Sequence, residues 1–244
     1  MTAGGAPVAG DRPLTVTDLG QTLAEPARLR ILLELLGGVS LPAGALAARV
    51  GLAPSTVSGH LARLADAGLV TVRSQGRRRL ASLDRADVAE VVEAMSRLTG
   101  QEPVASLAAH RRHIALRDAR SCYDHLAGRL AVALADWLLT RGWVAEQDGV
   151  WTVPADGLPA LSAKLGLSLS LPGDVRRPLV RPCPDWTERR PHLAGRLGAA
   201  LLTAMLDARW VRRRTNDRAL DVTESGRTAL ERAGVVLAVS APRP

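Results

Sequence analysis

Two predicted helices joined by a tight turn constrain this chain more than any other feature. Residues 41–50 (LPAGALAARV) have the apolar spacing of a short helix, residues 51–54 (GLAP) form a turn, and a second helix is predicted over Ser55–Ala67, with Ser55 as its cap. The apolar face of the second helix consists of Val57, Leu61, Leu64 and Ala65. Short polar or basic groups occupy its other face: Ser55, Thr56, Ser58, Gly59, His60 and Arg63. This pattern is typical of a helix-turn-helix, whose second helix enters the major groove of DNA.

A short hairpin is predicted directly after this pair of helices. The stretch LVTVRSQGRRRLASL contains two strand-like runs around a turn at Gln75-Gly76, and three arginines follow one another at Arg77, Arg78 and Arg79. Three adjacent cations repel one another unless an anion faces them, and a phosphate backbone supplies that anion. The hairpin is therefore interpreted as a wing, with Gln75 and the three arginines among the DNA contacts.

The N-terminal part begins with an amphipathic pattern. From Thr17 onward, leucines recur at three- and four-residue spacing until Gly37-Gly38 ends the pattern. Pro26 lies inside it and is predicted to kink the helix or to divide it into two. Residues 1–14 are rich in Gly, Ala and Pro, carry no apolar period, and are predicted to be a disordered tail.

The runs LAEPARLRILLELL, LAARVGLAPSTVSGHLARLADAGLV and RSQGRRRLASL together resemble the ArsR-type winged-helix regulators over residues 17–98. The resemblance implies a homodimer, in which the helix Asp84–Leu98 pairs with the first helix, bound to double-stranded operator DNA. Metal-sensing members carry cysteines before the recognition helix or Asp/His pairs on the dimerisation helix, and this chain has neither. We therefore expect any effector site to lie further along the chain.

The C-terminal half contains an internal repeat. The hexamer HLAGRL occurs at 125–130 and again at 192–197, an offset of 67, and Trp143-Val144 matches Trp210-Val211 at the same offset. Each copy is predicted to be a long apolar helix, a hairpin and a shorter helix, so the region 110–240 is expected to form a duplicated helix-hairpin-helix domain. It resembles the C-terminal extension of a subset of ArsR-type regulators, recognised by CYDHLAG and C-x-DW-[ST]-ERR-x-HLAG.

Both cysteines of the chain lie beside this repeat. Asp118, Cys122 and His125 have the i, i+4, i+7 spacing of one helix face, while Cys183 and His192 flank a segment predicted to begin a new helix, with Asp185 and Glu188 as its capping pair and Pro191 as a bend. Two thiolates and two imidazoles are a ligand set that tetrahedral zinc prefers, although the two pairs are sixty residues apart.

Three interpretations of Cys122, His125, Cys183 and His192 fit the sequence. They are small buried residues with no further role, ligands for zinc or another thiophilic metal, or parts of a thiol sensor or an organic-effector pocket. The offset of 67 favours the first interpretation, because it places Arg189 and not a cysteine opposite Cys122. The sequence alone does not identify a cofactor.

The remaining features narrow the class of protein. The predicted fold class is mainly α (α+β), with an N-terminal winged helix-turn-helix at 15–100 followed by the duplicated domain at 110–240. No apolar run is long enough to span a bilayer, no Gly-rich dinucleotide loop follows residue 100, and no G-x-S-x-G elbow occurs. We expect a cytoplasmic regulator, not an enzyme: a homodimeric repressor that an effector releases, or an architectural DNA-binding protein whose C-terminal domain is only structural.

Overall fold

Pro26 divides the first amphipathic segment into two helices, α1 (Val16–Leu23) and α2 (Pro26–Leu35). Thr15 caps α1, since its side chain accepts a hydrogen bond from the Asp18 amide while the Asp18 carboxylate accepts one from the Thr15 amide. Pro26 occupies the first turn of α2, where its missing N–H costs no helical hydrogen bond. The predicted division is confirmed.

The computed structural model describes residues 15–76, 78–98, 106–173 and 175–236. The predicted tail at 1–14 and Arg77 lie outside the described residues. The chain divides into two units, Met1–Val92 and Glu93–Pro244.

The first unit is a winged helix-turn-helix. After α1 and α2 its elements are β1 (Leu41–Pro42), α3 (Ala43–Val50), α4 (Pro54–Asp66), β2 (Thr71–Gln75), β3 (Arg78–Ser82) and α5 (Ala86–Leu98), whose last residues belong to the second unit. The strands form one antiparallel sheet in the order β1-β3-β2. Two predicted boundaries were wrong. Leu41 pairs with Ala81 as a strand before α3 begins, and α4 begins at Pro54 with Ala53 as its cap residue, so Ser55 lies within the first turn.

The core of the first unit is built from the apolar faces that the sequence spacing predicts. Val57, Leu61 and Leu64 of α4 are buried. Helices α2 and α3 also contribute buried apolar side chains to this unit, namely Ile31, Leu32 and Leu35 of α2 and Leu46 of α3. The Gly51 backbone has a φ of 72°, which lets the chain turn sharply between α3 and α4. This packing fixes the outward face of α4.

The second unit consists of short hairpins and helices. Its elements are α6 (Leu107–Asp118), β4 (Arg120–Cys122), β5 (His125–Ala127), α7 (Arg129–Thr140), β6 (Ala145–Gln147), β7 (Val150–Thr152), α8 (Gly157–Leu165), β8 (Arg181–Pro184), β9 (Pro191–Ala194), α9 (Gly195–Asp207), β10 (Val211–Arg213), β11 (Leu220–Val222) and α10 (Glu224–Ala233). The predicted helix through Cys122 and His125 was wrong, because Ala119 is already extended and Tyr123, at a φ of 57°, closes a tight turn. The predicted helix after Asp185 was also wrong, since β8 and β9 flank a loop there.

The order hairpin, helix, hairpin, helix occurs twice in this unit, once from β4 to α8 and once from β8 to α10. One apolar core includes residues of both series, among them Trp137, Trp151 and Trp210. Within the residues that the structure describes, no helix is both long and apolar enough to cross a membrane.

Candidate nucleic-acid interface and candidate metal centre

Helix α4 presents a polar face to solvent. Ser55, Thr56, Ser58, Gly59 and Arg63 are exposed and His60 is partly buried, so all six residues predicted to face DNA are accessible to some degree. The Ser58 hydroxyl donates a 2.9 Å hydrogen bond to the carbonyl of Pro54, which fixes its rotamer. The face thus carries small hydroxyl groups that allow close approach of a backbone or base edge.

The wing extends from the same unit. Strands β2 and β3 pair in antiparallel register from Thr71 opposite Ser82 to Gln75 opposite Arg78, with Gly76 at the tip. Gln75, Arg78 and Arg79 are exposed, whereas the predicted contact Arg77 lies outside the described residues. The exposed arginines at this hairpin provide the charge that phosphate contacts need.

In the second unit, two hairpins bring together the four Cys and His residues that the sequence singled out. Strand β4 pairs with β5 so that Cys122 lies opposite His125, and β8 pairs with β9 so that Cys183 lies opposite His192. Residues directly opposite one another in an antiparallel pair project to the same face. Each hairpin therefore presents one thiol and one imidazole together.

All four side chains are buried and converge on one point. Their candidate ligand atoms, the two sulfurs and one ring nitrogen from each imidazole, lie within 4.8 Å of one another. The Nε2 atoms of His125 and His192 are 3.2 Å apart. Exposure of these four residues does not exceed 4%. The site is thus enclosed by protein.

Strand pairing shows that the two cysteines hold equivalent positions, each opposite the histidine of its own hairpin. A constant sequence offset of 67 does not show this equivalence. His125 follows Cys122 by three positions, whereas His192 follows Cys183 by nine, because the second hairpin has a longer loop. The six additional loop residues shift the cysteine offset from 67 to 61. The absence of a cysteine at position 189 therefore does not argue against equivalent roles for Cys122 and Cys183.

A carboxylate contacts the outer nitrogen of the first imidazole. Nδ1 of His125 lies 3.3 Å from Oδ1 of Asp124, within hydrogen-bonding distance. Arg177 binds both oxygens of the same carboxylate, one of them at 2.9 Å. Burial alone would raise the pKa of Asp124, but Arg177 and His125 together lower it well below its usual range. Asp124 is therefore an acceptor for an N–H of the ring.

The second imidazole has the same kind of neighbour. Nδ1 of His192 lies 3.3 Å from Oδ2 of Asp185, within ion-pair distance but without the alignment of a full hydrogen bond. Asp185 is fully buried, pairs with Arg120 at 2.9 Å, and accepts hydrogen bonds from the Gly128 amide and from the amide and hydroxyl of Thr187. Burial would raise the pKa of Asp185, yet His192 and Arg120 lower it far below its usual range.

The same surroundings shift the pKa values of Cys122, His125 and His192. A hydrogen bond with Cys183, reinforced by burial, raises the pKa of the Cys122 thiol, so this group is neutral when no cation is near. Burial opposes charge on both imidazoles, but Cys122 and Asp124 raise the pKa of His125, and Asp185 and Cys122 raise that of His192.

The geometry suits a tetrahedral ion. With metal–nitrogen distances of about 2.0–2.1 Å, two imidazole ligands of a tetrahedral zinc lie about 3.3–3.4 Å apart. The two Nε2 atoms are already 3.2 Å apart, and one candidate ligand atom from each of the four residues lies within 4.8 Å of the other three. Two thiolates would also neutralise the two charges of a divalent cation.

Sequence reasoning did not identify Asp124, Arg120 and Arg177 as part of this site. One signal was available for the carboxylates, because an aspartate follows each cysteine by two positions, at Asp124 and Asp185. The two arginines carry no such signal, since each contacts a carboxylate more than fifty positions away.

Comparison with known proteins gives a match along most of the chain. The chain is 37% identical over 217 residues to an uncharacterized HTH-type transcriptional regulator, YdfF of Bacillus subtilis (strain 168). The aligned region covers 89% of this chain and 96% of that protein. A family profile described as a helix-turn-helix domain matches residues 23–73.

Other matches cover about a third of the chain. The HTH-type transcriptional regulator CmtR of Mycobacterium tuberculosis is 48% identical over 66 residues, 27% of this chain and 55% of that protein. The solved structure of the cadmium metal-sensor CmtR from Mycobacterium tuberculosis superposes with a TM-score of 0.28 and 34% identity, covering 38% of this chain and 99% of that one. The homodimeric winged helix-turn-helix DNA-binding domain of Mb0332 from Mycobacterium bovis has a TM-score of 0.31 and 32% identity, covering 33% of this chain and 73% of that one.

Proposed function

Because this chain belongs to the family of HTH-type transcriptional regulators, we propose that it is a metal-responsive, ArsR-type repressor rather than an enzyme. The observation that supports a metal response is that the candidate ligand atoms of four buried residues lie within 4.8 Å of one another: Cys122, His125, Cys183 and His192. Zinc or another thiophilic divalent metal such as cadmium is the class of effector that this donor set favours.

DNA binding is assigned to the first unit. Helix α4 enters the major groove with Thr56, Ser58 and His60 nearest the base edges, and Arg63 reaches a base or a phosphate. Arg78 and Arg79 of the wing contact the backbone. The exposure of these residues and their place on one helix and one hairpin support this docking.

A homodimer is proposed through α1 and α5. Within one copy of the chain α1 buries none of its residues, and Val16 is 88% exposed although the helix is amphipathic. On α5, Val91 is also exposed. A second copy would cover these apolar side chains and place two α4 helices on adjacent half-sites of a pseudo-palindromic operator.

The second unit is proposed to be an internal duplication that arose around the metal site. Its two hairpin-helix-hairpin-helix series share close approaches at equivalent glycines: a Cβ on Gly157 would lie 2.5 Å from the Trp143 carbonyl oxygen, and a Cβ on Gly226 would lie 2.1 Å from that of Trp210. One cysteine and one histidine from each series complete a four-ligand site, so neither copy would hold a metal alone.

The proposal is tested with the full chain and a duplex selected from a random-sequence library by its affinity for that chain. We expect one Zn²⁺ per chain, a discrete palindromic footprint, and a loss of affinity of at least tenfold when Zn²⁺ is added, with Mg²⁺ as the control ion. His125→Asn should abolish the zinc response, whereas His110→Asn, which changes an exposed histidine of α6, should retain it.

Each part of the proposal has its own contrary result. A protein that binds no Zn²⁺ after chelation and reloading contradicts the metal centre. A protein that loads Zn²⁺ but whose footprint does not respond would be a structural metal protein. Protection without any discrete site would favour the architectural DNA-binding alternative.

A further inference from the structure

Both carboxylates beside the Cys/His site occupy the same position in their hairpins. Asp124 follows Cys122 by two residues and contacts His125, and Asp185 follows Cys183 by two residues and contacts His192. In each case the contact is to Nδ1, the ring nitrogen that faces away from the other imidazole. The short sequence C-x-D thus supplies both a thiol and a partner for the histidine of the same hairpin.

An arginine from outside its own hairpin holds each carboxylate. Arg177, which precedes β8, binds Asp124 in the turn of the first hairpin through two nitrogens. Arg120 lies on β4 and pairs with Asp185 in the loop of the second hairpin, at 2.9 Å and with both side chains fully buried. The Arg120–Asp185 pair therefore joins the two hairpins, and the Arg177–Asp124 pair joins the first hairpin to the segment that precedes β8.

These contacts restrict the imidazole protons. A carboxylate bound by an arginine acts as an acceptor, so the hydrogen of each neutral ring is favoured at Nδ1, which lies 3.3 Å from a carboxylate oxygen. With both Nδ1 atoms protonated, two neutral rings would direct Nε2 lone pairs at each other across 3.2 Å. Such a contact is repulsive unless a cation lies between the lone pairs, and that cation is a shared proton or a metal ion.

On the basis of the metal site proposed above, we propose that Asp124 and Asp185 are positioning residues that preorganise both imidazoles as Nε2 ligands, each carboxylate being held by an arginine from outside its own hairpin. Carboxylates that bind the outer nitrogen of a ligating histidine fix its tautomer and orientation and raise its basicity. The ring orientation therefore exists before the ion arrives, and little reorganisation opposes binding.

The experiment uses the full chain and Co²⁺, whose visible absorption reports tetrahedral thiolate coordination. Asp124 is the position to change, because its side chain is 32% exposed whereas Asp185 is fully buried. We expect Asp124→Asn to weaken Co²⁺ and Zn²⁺ binding about 10–100-fold, the usual cost of losing such a partner. The matched control is Asp136→Asn, which removes another part-exposed Asp–Arg pair of the same unit, with Arg190, and should change affinity less than twofold.

Two further measurements distinguish positioning from a structural effect. Nitrogen-15 NMR of the imidazoles should show the Nδ1–H form for both histidines in zinc-loaded protein, and a shift of His125 away from that form in Asp124→Asn. Arg177→Lys keeps a positive charge beside Asp124, so its affinity for Co²⁺ and Zn²⁺ should stay within a few-fold of that of the wild-type protein. This NMR measurement on the unchanged chain tests the proposal even where a variant does not fold.

The outcomes separate this proposal from the one on which it rests. A wild-type chain that binds neither Co²⁺ nor Zn²⁺ overturns the metal centre itself. A chain that binds both ions, with unchanged affinity and tautomers in Asp124→Asn, overturns only the positioning role.

Discussion

The guanidinium of Arg218 donates a 2.9 Å hydrogen bond to Oε1 of Glu93, and both side chains are at most 5% exposed. Glu93 lies on α5, the helix that begins in the first unit and ends in the second. Its charge also interacts with that of Arg120, which pairs with Asp185 beside His192. The part of α5 that belongs to the second unit is thus held by a buried ion pair close to the proposed metal site.

Replacing one member of this pair should destabilise the second unit. Glu93→Gln leaves Arg218 buried without its counter-charge, which typically costs about 3–5 kcal/mol when a buried pair is broken. Urea unfolding followed by tryptophan fluorescence measures this unit selectively, because all five tryptophans lie between residues 137 and 210. Glu90→Gln, at an exposed position of the same helix, is the control and should change the free energy of unfolding by less than about 0.5 kcal/mol. A loss below 1 kcal/mol for Glu93→Gln would contradict the argument.

The same pair predicts a pH dependence. Burial would raise the pKa of Glu93, but Arg218 and Arg120 together lower it below its ordinary value. A carboxyl whose folded-state pKa is lowered stabilises the protein fully above its unfolded pKa, about 4.3 for glutamate, and loses that contribution as the pH falls through the folded-state value. The difference in unfolding free energy between wild type and Glu93→Gln should therefore be constant from pH 8 to 5 and shrink below about pH 4. A difference that grows in acid would show the opposite sign of shift.

The first unit was largely predictable because its elements are long enough to show a period. Val57, Leu61 and Leu64 recur at helical spacing over a helix of thirteen residues, and burial of that face follows directly. Only the boundaries differed, as at Pro54, where the helix begins one residue before the predicted start at Ser55.

The candidate ligands of the second unit could be predicted from the sequence, but its local structure could not. Strands of three residues such as Arg120–Cys122 are too short to show alternation, and the spacing of Asp118, Cys122 and His125 matched a helix by coincidence. The carboxylate of Asp185 does bind the amides of Thr187 and Glu188, as a helix cap would. The other oxygen of this carboxylate binds the Gly128 amide and the Arg120 guanidinium, both of which are distant in sequence. The segment after Asp185 remains a loop.

Wing arginines should control the salt dependence of DNA binding. Arg79 is exposed on β3, and a phosphate contact made there releases about one counterion. Arg79→Ala should reduce the slope of log K against log salt by about 1 and weaken binding similarly for different sequences. Arg232→Ala changes an exposed arginine of α10 in the second unit and should leave the slope unchanged. Equal slopes for wild type and Arg79→Ala, measured by fluorescence anisotropy on the selected duplex, would exclude a phosphate contact at this residue.

Gly226 should tolerate no side chain. A Cβ at this position would lie 2.1 Å from the carbonyl oxygen of Trp210, and that carbonyl already accepts a 3.0 Å hydrogen bond from the amide of Thr223. The clash is with backbone, so relief requires α10 to move away from the strand that follows Trp210. We expect Gly226→Ala to destabilise the second unit by at least about 2 kcal/mol. Gly173→Ala, where no atom lies within 4 Å of the added carbon, should be nearly neutral in the same fluorescence-detected unfolding. Equal stabilities for the two variants would show that the close approach of Gly226 to Trp210 does not constrain the fold.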